Sequence, residues 1–550
     1  MRLFDISRKR EITSLNGAWK SKTESGAEKS IYIPSVINNE TDMLLYEGSI
    51  TFTKSFYSKG GTLRFVFEGV QNLCAVYFDG KPAASHYGGF TAFDFIVSGV
   101  AEGEHTLRVD TVNEYDKNSI PQRKVDWFHY SGITRDVYVE RLKGLCILDS
   151  RLVYELDVDQ QTAVCHVEAT LFNADDKHAL TDEITVSVAD RQLCSRRVSL
   201  GKGEKSSFKT SDFTLDNIKL WDIGSPKLYS FTVSSGSDEL TDKTGFRKIE
   251  IRNGEFILNG SPLVLKGINR HEEYPSFGFA FPKAMMLRDI AIIKDLGCNA
   301  VRGSHYPNDK YFLDLLDENG ILFWSEIPVW GVGFSEETLS NPTIIKRGLK
   351  MHEEMCAQYY NHPSAVIYGL HNEILSDTDS GYNFTESFYR LVKEKAGNRL
   401  ITYASNHPLN DICFKFCDFI SVNLYHGWYG GGLDDWDKFV DDFALRLKEK
   451  DAAGKPVVMS EFGAAAIYGN HTFDNIKWTE EYQANLLNYT LTLFEKTDYI
   501  KGTFIWQFTD IRTYENLDLN RARGYNNKGI LNEHRKPKLA YYTVKNHYAK

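Results

Sequence analysis

The 550-residue chain has no run of ~18 apolar residues, so nothing in it reads as a membrane-spanning helix. Its first ten residues, Met1 to Arg10, contain no apolar core of a secretion signal. The eight cysteines are scattered without the spacing of metal ligands. Cys413 and Cys417 are the one close pair, and they have no second half. Scattered thiols fit a reducing compartment, so a cytoplasmic location is expected. There is also no excess of positive charge. The net charge is −10, which argues against a nucleic-acid partner, because phosphates demand a basic face. An anionic ligand would therefore be held by local cations, not drawn in by the field of the whole protein.

What is present is aromatic and β-rich. Phe, Tyr and Trp make up 13% of residues, enough for several sandwich cores and for sugar-stacking surfaces. A chain this long divides into roughly three domains. Residues 1–145 show short alternating runs such as Thr62–Glu68, Ala75–Phe78 and Thr106–Val109, and no helical periodicity. Asp79-Gly80 marks a hairpin turn. This pattern predicts a jelly-roll β-sandwich. Residues 146–248 repeat it on a smaller scale, in Val164–Leu171, Ile184–Val188 and Tyr229–Val233, as an immunoglobulin-like β-sandwich does. From 249 to 550 strands alternate with helices. Eight candidate strands lie near residues 263, 300, 322, 365, 400, 419, 456 and 502, which predicts a (β/α)8 TIM barrel. Between the first two, Met286, Leu287, Ile290, Ile293 and Leu296 are expected on one buried helix face.

In such a barrel, chemistry gathers at the C-terminal strand ends. Two glutamates stand there, Glu373 after the fourth strand and Glu461 at the end of the seventh. A retaining glycosidase needs this pair: one carboxylic acid protonates the departing oxygen, and the other carboxylate attacks the anomeric carbon from about 5–5.5 Å away. Glu373 is expected as acid/base, its pKa raised by the charge of Glu461. Glu461 is the expected nucleophile. Asn372 is placed to bind the sugar 2-hydroxyl. Near the C-terminus, Asn526 and Lys528 supply the amide and cation that a sugar carboxylate requires. Histidines His129, His271, His362 and His371, with Glu272, are read as satisfying hydrogen bonds, not as ligands of a metal.

The chain resembles glycoside hydrolase family 2 and, within it, the bacterial β-glucuronidases. The resemblance is carried by Asp126–Arg135, Gly267–Glu272, Arg302–Pro307, His371-Asn372-Glu373, Asn423–Tyr429, Trp506 and Gly524–Gly529, and it covers nearly the whole chain. It implies a retaining exo-β-glucuronidase that releases D-glucuronate from a small glucuronide or a uronate-terminated oligosaccharide by double displacement. No cofactor and no metal are implied, and the common assembly is a homotetramer. It also implies that Asp126 reaches from the first sandwich to bind sugar hydroxyls, that His305 and Asn423 line the pocket, and that Tyr425 steadies the nucleophile. Tyr429 and Trp506 are expected at the sugar. Asn526 and Lys528 form the N-x-K element of glucuronidases, with Arg521 or Arg523 as a third carboxylate contact. Tyr525 departs from the glycine of many relatives, and the Gly331–Asn361 stretch is shorter, implying a more open leaving-group side. A β-galacturonidase or β-galactosidase of the same family, or a carbohydrate-binding protein without turnover, are the competing readings.

Overall fold

The computed structural model describes residues 2–24, 26–40, 42–514 and 521–549. In the first of three β-rich or barrel regions, a four-stranded sheet faces a six-stranded one. The central strands Ser49–Ser58 and Gly103–Val112 pair antiparallel along their whole length. Asp79 and Gly80 both have positive φ, 47° and 76°. They close the hairpin between Leu73–Phe78 and Lys81–Tyr87 as the sequence predicts. Alternate residues fill the space between the sheets, with Phe52, Phe65, Phe67, Leu107 and Val109 fully buried. The second region packs a sheet built on Leu145–Asp157 and Thr162–Asn173 against one built on Leu180–Val188, Arg191–Leu200 and Tyr229–Ser234.

The barrel strands are β1 Leu265–Arg270, β2 Ala300–Gly303, β3 Leu322–Glu326, β4 Ala365–Asn372, β5 Leu400–Ser405, β6 Ile420–Asn423, β7 Val457–Glu461 and β8 Ile500–Ile505. They close in sequential parallel order. Nearly every strand residue is buried, because helices cover the outside while side chains fill the inside; this is why the strands read as continuous apolar runs. A small sheet, Ile249–Arg252, Glu255–Leu258 and Ser261–Leu263, caps the N-terminal end. Its Phe256 and Leu258 pack with Trp324, Phe419 and Phe504 inside the barrel. In helix Lys283–Asp295, Met286, Ile290 and Ile293 face inward. Leu287 does not: it is half exposed, because position i+1 from Met286 lies about 100° around the helix from the buried stripe.

Gly320 ends helix Lys310–Asn319 at φ 65°. A Cβ there would meet the Ile223 carbonyl at 2.5 Å, so glycine lets the second region lie directly on the barrel. Trp221, fully buried, donates its indole N–H to the Asp317 carbonyl at 2.7 Å across the same junction.

The first sandwich also docks on the barrel, at the mouth. Arg135 pairs with Glu272 at 2.8 Å, Lys283 with Asp136 at 2.7 Å and Lys310 with Glu68 at 3.0 Å. Trp127 lies among the rings of His271, His305 and Trp330. The segment carrying Asp126 is thereby held over the barrel mouth. All eight cysteines are free thiols, and the Cys413 and Cys417 sulfurs lie against the carbonyls of Ser376 and Phe414. Among the described residues no helix is long and apolar enough to cross a membrane.

Candidate active site

A cavity of about 980 Å3 opens at the C-terminal end of the barrel, with Glu373, Glu461 and Asp126 on its wall. Glu461 is the last residue of β7, and both of its carboxylate oxygens are occupied. Arg302 of β2 donates to Oε1 at 2.7 Å, and the Tyr425 hydroxyl donates to Oε2 at 2.7 Å. Arg302 is fully buried and forks onto a second carboxylate, Glu326 at the end of β3, at 2.8 and 2.9 Å. Burial alone would disfavour the guanidinium charge, but Glu326 and Glu461 outweigh it and hold the pKa above the ordinary arginine value. Glu461 is thus held in a defined orientation, with a guanidinium on one oxygen and a hydroxyl on the other.

Glu373 follows β4 with φ 53°, a conformation that few non-glycine residues adopt. Its backbone N–H is anchored on the Ala404 carbonyl of β5. On its other side, a Cβ at Gly331 would stand 1.5 Å from the Glu373 carbonyl oxygen, so only glycine lets the loop after β3 pass. The Glu373 carboxyl accepts from Asn423 Nδ2 at 2.9 Å, and its pKa rises from 4.5 to about 8. Burial is the larger cause and the charge of Glu461 the second. This corrects the expectation that the charge of Glu461 is the cause: burial, with the loop after β3 packed against this residue, outweighs it.

Asn372 Oδ1 accepts from Arg302 at 2.7 Å and from Asn423 at 3.0 Å. Its Nδ2 is buried without a protein partner. Asn423 Oδ1 in turn accepts from Ser460 at 2.7 Å, so Asn423 ties the two glutamate-bearing strands together. His305 is buried beneath Trp506, ring centroids 5.1 Å apart, with Nδ1 on Glu326 at 2.7 Å. Burial and the Arg302 charge lower its pKa to about 3, so it is neutral. It supports the wall that Trp506 lines and is not itself part of that wall.

The cationic side is built by the turn after β8. Asn526, in a two-residue strand paired with Ile511–Arg512, donates to Asp126 Oδ2 at 2.8 Å. Arg521 grips the same carboxylate through both Nε and Nη2, the former at 2.8 Å. Tyr429, exposed at the rim, receives hydrogen bonds from Lys528 at 2.6 Å and Arg521 at 3.0 Å. Lys528 is buried, and among the described residues no carboxylate pairs with it. Burial, reinforced by the charge of Arg521, pushes its pKa well below the ordinary lysine value.

Of the two arginines left open by the sequence, Arg521 lines the cavity. Arg523 turns outward, with φ 63°, onto Glu533 at 3.1 Å and Asn527 at 2.9 Å. Arg302 and Glu326 were missed as site residues. The signal for them was their position at the ends of β2 and β3. His129, His271 and His371 bond to Gln122 and Arg123 carbonyls, the Tyr306 hydroxyl and the Thr385 hydroxyl. His362 bonds to Asp317, and the nearby Asp314 is gripped by Arg2.

The match to known proteins is extensive. A solved β-galacturonidase from Eisenbergiella tayi, bound to galacturonate, is 34% identical with a TM-score of 0.94, covering 100% of this chain and 98% of that one. The β-glucuronidase of Ruminococcus gnavus is 25% identical with a TM-score of 0.87, covering 100% and 99%. Among curated sequences, a putative β-glucuronidase of Formosa agariphila is 28% identical over 88% of this chain, which spans 61% of that relative's length. Three sequence profiles tile the chain: the family 2 sugar binding domain over 14–142, the glycosyl hydrolases family 2 domain over 147–247 and the family 2 TIM barrel domain over 249–550. With the last of these alone spanning more than half of its residues, the chain belongs to glycoside hydrolase family 2 and is a glycoside hydrolase.

Proposed function

We propose that the chain is a retaining exo-β-D-uronidase that hydrolyses β-D-glucuronides. The observation that carries the uronide reading is Lys528: a buried ammonium beside the cavity, held by the Tyr429 hydroxyl and by no carboxylate among the described residues. A buried charge without a partner is costly unless a ligand supplies one. A sugar carboxylate does so, and a neutral sugar would leave the lysine desolvated.

The chemistry follows from the two glutamates. Glu373, protonated below about pH 8, gives its proton to the glycosidic oxygen as Glu461 attacks the anomeric carbon, and the alcohol leaves. The charge on Glu461 is consumed in the ester, so the repulsion it exerted on Glu373 disappears. Glu373 then takes a proton from water, whose oxygen attacks the anomeric carbon and returns Glu461 as a carboxylate. Arg302 and Tyr425 orient Glu461, and the unpartnered Asn372 Nδ2 is available to the sugar 2-hydroxyl. Asp126, gripped by Arg521 and Asn526, is available to the hydroxyls on the far side of the ring.

The second reading is a β-galacturonidase, which differs in substrate only at the C4 hydroxyl; the 34% identity and 0.94 TM-score with the Eisenbergiella tayi enzyme favour it. Measuring kcat/KM for nitrophenyl β-glucuronide, β-galacturonide and β-galactoside separates the cases. The glucuronide is expected to lead. A leading galacturonide selects the second reading, and a leading galactoside overturns both. A 2-fluoro-glucuronide should leave a covalent adduct on Glu461; hydrolysis with inverted anomeric configuration would overturn the mechanism.

A further inference from the structure

The cavity is larger than one sugar ring requires. About 980 Å3 lies at the upper end of what drug-sized ligands occupy. Barrel order divides it into two sides. The cationic side, with Lys528 and Arg521, follows β8. Glu373 follows β4, on the opposite side of the ring, and its neighbours in the closed barrel are the ends of β3 and β5. An acid that protonates the departing oxygen must have the leaving group above it, so the leaving group lies over β3, β4 and β5, with the β6 loop beyond.

Trp330 after β3, Asn406 after β5 and His426 at the start of the β6 loop line this part of the cavity, and the β6 loop then runs on to the cationic side, where Tyr429 meets Lys528. Asn406 is the most informative. Its backbone surroundings are pinned: Ser405 donates to Asp411 at 2.6 Å, the His407 N–H bonds to Ser405 Oγ at 3.2 Å, and Asp411 also receives Ser376 at 2.6 Å and Tyr403 at 2.7 Å. The amide itself makes no hydrogen bond among the described residues, and its oxygen is buried without a partner. The His426 ring packs edge-on against Trp436 and likewise makes no hydrogen bond among the described residues. A buried polar atom that the protein leaves unpaired, as it does Asn406 Oδ1, is paired by water or by what enters the pocket. Trp330, largely buried and packed edge-to-face against Trp127, adds an apolar wall.

We propose that Asn406, with His426 and Trp330, forms a leaving-group subsite, and that it selects a hydroxyl-bearing sugar over a flat aromatic aglycone. The natural substrate class is then a β-uronide at the end of an oligosaccharide. This inference rests on the reading of Glu373 as the acid and of the substrate as a uronide.

The test is kcat/KM for a glucuronosyl disaccharide and for nitrophenyl β-glucuronide, on wild type, Asn406→Ala and Asn406→Gln. For Asn406→Ala the ratio of disaccharide to nitrophenyl efficiency should fall about tenfold, and the loss should appear mainly in KM. Asn406→Gln, which keeps the amide, should recover part of it. A ratio unchanged in both variants, or wild type that cleaves the nitrophenyl compound but not the disaccharide, overturns the inference. Wild type that prefers a nitrophenyl β-galactoside to both uronides instead overturns the uronide reading beneath it, and the two failures are therefore distinguishable.

Discussion

Replacing Lys528 with methionine tests the uronide reading most directly, because stability and activity should move in opposite directions. In the free enzyme the ammonium is buried, donates to the Tyr429 hydroxyl at 2.6 Å and faces the repulsion of Arg521. A lysine whose pKa is pushed below 10.5 by folding binds fewer protons folded than unfolded. Its cost to stability is therefore full at low pH and is relieved as pH rises from the depressed value towards 10.5. Lys528→Met removes that cost with a side chain of similar length, so thermal stability at pH 6–7 should equal or exceed that of wild type. Activity should fall. A charge-assisted contact contributes about 1.5–3 kcal/mol, which is about 10- to 150-fold in kcat/KM on a β-glucuronide. The same variant should lose little or gain on a β-galactoside, whose neutral C6 group no longer has to bury an unpaired cation. Steady-state kinetics on the two nitrophenyl glycosides and a calorimetric melt supply the readouts. Equal losses on both substrates, or a uronide loss below about threefold, would refute the assignment of the carboxylate to Lys528.

Three further outcomes follow from the geometry. Glu373→Gln should lower kcat on poor leaving groups by about 10²–10⁴-fold, spare dinitrophenyl glycosides in part, and abolish the alkaline limb near pH 8; a retained limb would assign it elsewhere. Gly331→Ala places a methyl 1.5 Å from the Glu373 carbonyl, so the acid must shift; about 10²-fold should be lost in kcat with the circular dichroism spectrum unchanged, and full activity would show that the loop yields instead. Trp221→Ala, a fully buried indole at the junction of the second sandwich and the barrel, should cost about 3–5 kcal/mol in denaturant unfolding, and a cost under 1 kcal/mol would mean that the junction is not part of the cooperative unit.

The barrel was legible because its strands are buried on both faces, which writes them as short apolar runs at regular intervals; the polar residue ending each run then named the site. Helix faces were legible to within a residue, and Leu287 shows the limit: apolar character at one position does not say which way it points. What escaped the sequence depends on partners distant along the chain. Arg302 stood in plain view, but its role lies in Glu326 and Glu461, separated from it by 24 and 159 residues. Arg521 and Arg523 flank the same turn, and only the backbone conformation at Arg523, φ 63°, sends one inward and the other out. The elevation of the Glu373 pKa by burial has the same origin, since the loop after β3 that packs against it lies about 40 residues away in the chain.

The distribution of charge carries a last consequence. Arg302 is matched by Glu326 and Glu461, and Arg521 by Asp126. That leaves Lys477, which donates to the Trp428 carbonyl at 2.6 Å, together with Lys528 and Glu373; burial drives Lys528 and Glu373 towards their neutral forms. A bound uronate supplies the missing negative charge and so favours the protonated lysine, while catalysis needs the proton on Glu373. Both requirements fail in the same direction as pH rises. For a β-glucuronide, kcat/KM should therefore fall on the alkaline side with a slope steeper than that for a single proton. For a neutral β-galactoside only Glu373 titrates, and the limb should have the slope of one proton. Lys528→Met should give the uronide the one-proton limb as well. Identical alkaline limbs for the two substrates on wild type would mean that Lys528 stays charged throughout, and that its burial is offset by the pocket without help from the substrate.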